Sequence, residues 1–165
     1  MRPPKPDSPG PGQESVWDYP RPPRLEETRE SIEVRLGGGV IARTTRSWRA
    51  LETSHPPTYY LPQEAFVDGA LRPTSGSSWC EWKGQASYFD LVAGDTVAAR
   101  AAWTYRTTTP GFQAIAGAVA VMPGMVDSCR VDGELVRAQP GQFYGGWITS
   151  RVVGPFKGEP GTMGW

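Results

Sequence analysis

Residues able to do chemistry are few, and they crowd between Leu51 and Asp90. His55 is the only histidine, Cys80 is one of two cysteines, and Lys83 stands between Trp82 and Gly84. His55 precedes Pro56-Pro57, whose rings stiffen the backbone and fix where the imidazole points. With a reference pKa near ~6.5 it is a usable acid or base at neutral pH. Its other reading is a hydrogen-bonded structural histidine. Cys80 lies in Ser78-Trp79-Cys80-Glu81-Trp82, an alternating run that on a strand puts Trp82 and Ser78 on its face. It is either a nucleophile, which needs an electropositive and partly exposed setting, or a small buried hydrophobe. Lys83 and Arg72 supply cations, and Tyr59, Tyr60, Tyr88, Trp103 and Tyr105 supply rings. Together they would form a pocket that stacks a ring and neutralises a phosphate or carboxylate. The opposing reading makes Lys83 and Arg72 solvated strand-end charges.

What is missing narrows the chemistry. One histidine excludes a two-histidine zinc centre, and no CxxC pair builds a zinc ribbon. No phosphate-binding GxxxxGK[ST] loop, dinucleotide GxGxxG or nucleophile-elbow GxSxG occurs. No Asp-x-Asp pair offers a local two-metal site, so no metal is expected, and these residues name no cofactor. Seventeen Lys plus Arg balance seventeen Asp plus Glu, giving no electrostatic case for nucleic acid. No apolar run approaches the ~18 residues of a membrane span, and the N-terminus has no apolar signal core. Two cysteines make no secreted framework, so free thiols in a reducing cytoplasm are expected.

The elements that must position these groups read as mostly β. Ile32 to Leu36 alternates apolar and charged residues, Gly37-Gly38-Gly39 turns, and Val40-Ile41-Ala42 returns. Ala86 to Val92, the turn Ala93-Gly94-Asp95, and Thr96 to Tyr105 form another hairpin. Asp132-Gly133 turns a third between Val126 and Arg137. Helical turns are confined to Gln113 to Ala118 and Thr45 to Leu51. Thr74 to Ser78 is read as a turn rather than an anion-binding loop. A single antiparallel domain of short coiled strands follows, an open barrel, a sandwich or a tent-like sheet. It spans residues 14–138. Eight of the seventeen prolines fall in residues 1–24, so residues 1–13 are expected disordered, with Val16 to Arg24 as an extended arm. Residues 139–165, glycine interleaved with aromatics, either wrap the sheet or wall a pocket.

These segments carry a resemblance. ETSHPPTYYLP (Glu52 to Pro62), LRPT with WCEWKGQASYFD (Leu71 to Asp90), AAWTY (Ala101 to Tyr105) and MPGMVD (Met122 to Asp127) look like the uncharacterised-domain family numbered 427. That family carries a nucleotidyltransferase label. The flanks resemble its longer bacterial subgroup. The resemblance implies a compact β domain of the coiled-sheet tent type shared with methionine sulfoxide reductases of the B class. In that type zinc is often held by two CxxC knuckles, which this chain lacks. His55, Tyr59, Tyr60, Arg72, Cys80, Lys83, Gly84, Tyr88, Trp103 and Tyr105 fit the family's motif, and no catalytic role comes with it.

The first expectation is therefore a small-molecule-binding domain for a nucleotide-like or other anionic ring ligand. The alternative is an enzyme, with His55 as base and Cys80 as nucleophile, or a nucleotidyltransferase gathering Mg²⁺ on Glu52, Glu81 or Asp90. A third reading is an interaction module whose aromatic flanks bind a partner or a second copy.

Overall fold

The computed structural model describes residues 4–141 and 143–165. The first three residues of the proline-rich tail, and Gln142, lie outside the described residues. Chain order is β1 (Glu14–Ser15), β2 (Arg24–Thr28), β3 (Ile32–Leu36), β4 (Gly39–Thr44), β5 (Ser47–Leu51), β6 (Thr58–Leu61), β7 (Leu71–Cys80), β8 (Gly84–Ala93) and β9 (Thr96–Thr104). Then come β10 (Val119–Val121), β11 (Ser128–Val131), β12 (Glu134–Leu135), β13 (Arg137–Ala138), β14 (Trp147–Ile148) and β15 (Val152–Val153). Single 3₁₀ turns occupy Val16–Asp18, Gln63–Ala65, Gln113–Ile115 and Pro123–Met125. The chain is mostly β, and neither large sheet closes into a barrel.

A seven-stranded antiparallel sheet has the order β2-β5-β6-β10-β9-β8-β7. A smaller sheet, β12-β11-β3-β4, packs on its inner face. Successive strand residues point to opposite faces, so one strand serves two cores. Tyr59 and Leu61 of β6, with Val119 and Val121 of β10, face inward to Ile32, Val34 and Cys129. Tyr60 and Ala120 face outward with Ala50, Ala86 and Tyr105. The outward face is where the candidate site forms.

Turn chemistry fixes the register of the smaller sheet. Gly37 (φ 63°) and Gly38 (φ 84°) form a two-residue loop between paired Leu36 and Gly39. Asp132 (φ 50°) and Gly133 (φ 81°) do the same between Val131 and Glu134. Positive φ at both central positions matches the right-handed twist of the flanking strands.

Three expectations change. Ser47–Leu51 is a strand, not a helical turn, because alternation sends Trp48 and Ala50 to one face and Arg49 and Leu51 to the other. Thr74 to Ser78 stays within β7, its irregularity absorbed by a bulge between Thr74 and Ser77. The arm from Val16 is not simply extended: Val16 to Asp18 forms a 3₁₀ turn capped by the Ser15 side chain, burying Val16 and Tyr19. Ahead of it, the amide of Asp7 donates to the Gly154 carbonyl at 2.8 Å, and the Gln13 side chain donates to the Ser150 carbonyl at 2.8 Å.

The C-terminal segment does both jobs considered for it. Trp147 is fully buried, stacks on Tyr59 at 4.9 Å, and donates its indole N–H to the Val121 carbonyl at 3.0 Å. Phe143, Tyr144 and Gly145, just before it, line the outer hollow.

Candidate functional site

A hollow of about 550 Å³ lies on the outer face of the large sheet. Its floor belongs to a single cross-strand row, from which Tyr60, Trp103 and Tyr88 line the hollow. Tyr60 pairs with Ala120, Ala120 with Trp103, and Trp103 with Tyr88. Ala120, between Tyr60 and Trp103 in this row, carries only a methyl group. Tyr105 lies beside them, its ring 6.3 Å from that of Tyr60. Burial pushes both phenols well above their ordinary pKa, which keeps each O–H a donor at neutral pH.

One wall is the end of β7 and the turn after it, bringing Ser78, Cys80, Trp82 and Lys83. The loop at Thr109 anchors this turn: its amide donates to the Lys83 carbonyl at 3.0 Å and its hydroxyl to the Trp82 carbonyl. The opposite wall is the turn after β5. Ser54, fully buried with φ 71°, bends the chain so that His55 enters the hollow. The C-terminal segment forms the third wall. A side chain at Gly145 would collide with the Trp103 indole. One at Gly146 would lie 2.6 Å from Pro56 Cγ and 2.7 Å from its carbonyl oxygen. Both glycines are required by close approach.

His55 is held by a network that decides its protonation. The Gln139 amide nitrogen donates to the Lys157 carbonyl at 2.9 Å, and its oxygen accepts from the Gly146 N–H at 3.1 Å. Those two partners fix which end of the amide is nitrogen. The same nitrogen therefore donates to His55 Nδ1 at 3.0 Å, and the ring proton belongs on Nε2. Nε2 faces Glu52 Oε2 at 3.5 Å, an oxygen also held by Arg21 at 3.3 Å. The imidazole and the Tyr144 ring pack edge to face, their centroids 5.0 Å apart. Burial drives the His55 pKa down; Glu52 pulls it back, while Lys157, Arg21 and Lys83 push it further down, to about 4. At neutral pH His55 is an uncharged Nε2–H donor.

The structure thus gathers His55, Tyr60, Cys80, Lys83, Tyr88, Trp103 and Tyr105 around one hollow. It does not bring Tyr59 or Arg72 there. Tyr59, one residue from Tyr60, faces the inner core and donates to Glu30 at 3.0 Å. Arg72 sits across from Asp90 in the register of β7 and β8, and is bound to it at 2.9 Å on the surface. Asp90 is thereby committed outside the hollow as well. Cys80 is half-buried and Cys129 buried, both as free thiols. Burial alone raises the Cys129 pKa to about 12.

Sequence reasoning missed Gln139, Tyr144, Lys157 and Arg100. Arg100 lies over the Tyr88 ring at 4.2 Å and donates to the Ser75 carbonyl at 2.8 Å. Lys157 lies 5.7 Å from the centre of the Tyr144 ring. The scarcity of lysine was an available signal for Lys157: Lys5, Lys83 and Lys157 are the whole complement. Among the described residues, no group of three or more His, Cys, Asp or Glu is placed to hold a metal ion. No helix among them is long and apolar enough to cross a membrane.

Residues 24–132 match the family described as a domain of unknown function (DUF427), and the chain belongs to it. Its short name carries a nucleotidyltransferase label. No curated protein matches the chain. The matched span supplies the floor of the hollow and two of its walls, whereas Gln139, Tyr144 and Lys157 lie beyond it.

Proposed function

We propose that the protein binds a small anionic ring compound, nucleotide-like in chemistry, in the outer hollow. The observation that carries this is the placement of two half-buried lysines in a hollow floored by Tyr60, Trp103 and Tyr88. An aromatic floor gives a flat ligand stacking area, and ammonium groups in a partly enclosed site bind an anion strongly. Protonated Tyr60 and Tyr105 add neutral donors. The enzyme reading has less support. Both ring nitrogens of His55 are engaged, by Gln139 and Glu52, and no hydrogen bond joins it to Cys80 among the described residues. A cysteine–histidine mechanism needs that contact. We place the protein in a reducing cytoplasm, on the ground that both thiols are free.

The test is thermal unfolding of wild type and Lys83→Ala with AMP and aromatic carboxylates. A ligand at a hundred times its Kd stabilises by about 2.7 kcal/mol. The reading expects that gain in wild type and a reduced gain in Lys83→Ala. Equal gains in the two proteins would contradict it.

A further inference from the structure

Charge placement inside the hollow narrows the ligand class. Of seventeen basic residues only three are lysines, and two of those line this hollow. All twelve ion pairs among the described residues use arginine or histidine; none uses lysine. Half-buried lysines without a carboxylate partner are uncommon, because desolvating an ammonium is costly. Both line the same hollow as His55, Lys83 from the turn after β7 and Lys157 from the C-terminal segment, where its ammonium lies 5.7 Å from the centre of the Tyr144 ring that packs on the imidazole. They therefore face one space from two different walls.

The other charges of the hollow are already engaged or exposed. Arg100 is occupied by the Tyr88 ring and the Ser75 carbonyl. Glu52 is shared by Arg21 and the Nε2–H of His55. Glu81 is exposed at the rim. Nucleotidyl transfer would bring a triphosphate of about four negative charges together with Mg²⁺ held by carboxylates. The donor set does not fit that metal: Glu52 is committed to Arg21 and His55, Glu81 is exposed at the rim, and Asp90 is bound by Arg72 outside the hollow. Two ammonium groups without an ion-pair partner among the described residues compensate about two negative charges, and excess charge in a partly enclosed site would stay unpaired.

We infer that the hollow takes a ring compound with one anionic head, a carboxylate or phosphomonoester seated between Lys83 and Lys157, and not a metal-bound nucleoside triphosphate. This rests on the anionic-ring reading above and narrows it. The head lies beside His55, and the ring extends over the half-exposed Trp103.

Titration calorimetry of the full chain with 1-naphthoate, 1-naphthol, AMP, ATP and ATP with Mg²⁺ tests this. Binding of naphthoate or AMP is expected, with ATP no tighter than AMP and no gain from Mg²⁺. Naphthol, lacking the charge, should bind at least about tenfold more weakly than naphthoate, as expected for losing a charge-assisted contact. Lys157→Ala should lose about tenfold for naphthoate and leave naphthol unchanged. Lys157→Gln, which keeps most of the stem, should lose the same if charge is the cause. ATP binding tenfold tighter than AMP, and tighter still with Mg²⁺, would overturn this inference while leaving the anionic-ring reading intact. So would an unaltered naphthoate affinity in both Lys157 variants. Silence from every probe would remove both.

Discussion

Acidification should weaken the fold through His55, by an amount that can be worked out. In the folded chain its pKa is about 4, because burial and the neighbouring Lys157, Arg21 and Lys83 outweigh the attraction of Glu52. Unfolded, it returns to about 6.5. Between those values the unfolded state binds more protons, so stability rises with pH across the window. The contribution is complete above about pH 6.5 and is lost as pH falls toward 4. At about 1.4 kcal/mol per pH unit this amounts to roughly 3 kcal/mol. Carboxylates lose stability at lower pH. Burial pushes the Glu14 carboxyl up, but its hydrogen bond to Arg49 and the attraction of Arg49 and Arg151 hold it below the usual range. Denaturant unfolding of wild type and His55→Asn at half-unit steps from pH 7.5 to 4 separates the two effects. Asparagine keeps an acceptor near the position of Nδ1 and has no titration. The difference in stability between the two proteins should shrink by about 3 kcal/mol from pH 7 to 4. A difference that stays flat would mean His55 is solvated or already charged, and the Gln139 argument would fall.

Other outcomes follow from the two faces of the sheet. Tyr59→Phe removes the hydrogen bond to Glu30 and should cost about 1 to 2 kcal/mol in urea unfolding, with ligand affinity unchanged, since Tyr59 faces the inner core. Gly145→Val should displace the third wall from Trp103, seen as red-shifted tryptophan emission and loss of binding with only modest loss of stability. A thiol reagent should modify Cys80 in the native protein and leave Cys129 untouched until unfolding, and bound ligand should slow the reaction at Cys80. Arg49, fully buried between Glu14 and Glu26 at 2.6 Å each, should tolerate no alanine: the loss should be about 3 to 5 kcal/mol by thermal and denaturant melts.

Local signals carried much of this into the sequence. Alternation in Ile32 to Leu36 and the glycine and Asp-Gly turns defined two hairpins, because a half-buried strand and a type I′ turn leave local marks. The strand at Ser47–Leu51 hid because Arg49 on its inner face is polar, yet buried by Glu14 and Glu26 from other strands. The cluster of His55, Cys80 and Lys83 was legible as a crowded stretch. Tyr59 and Tyr60 were not separable, since which of two neighbours faces out depends on register with β5 and β10. Gln139 and Lys157 were out of reach for another reason. Their roles come from a segment more than eighty residues from His55 folding back across the sheet.

The seven tryptophans are built-in reporters of where a ligand sits. In ¹⁵N-labelled protein titrated with 1-naphthoate, the indole N–H signals of Trp82 and Trp103 should move first and furthest. That of Trp147, bonded to Val121 in the inner core, should stay still. Movement centred on Trp147 or Trp17, or none at Trp82 and Trp103 when binding is evident, would contradict a ligand site in the outer hollow.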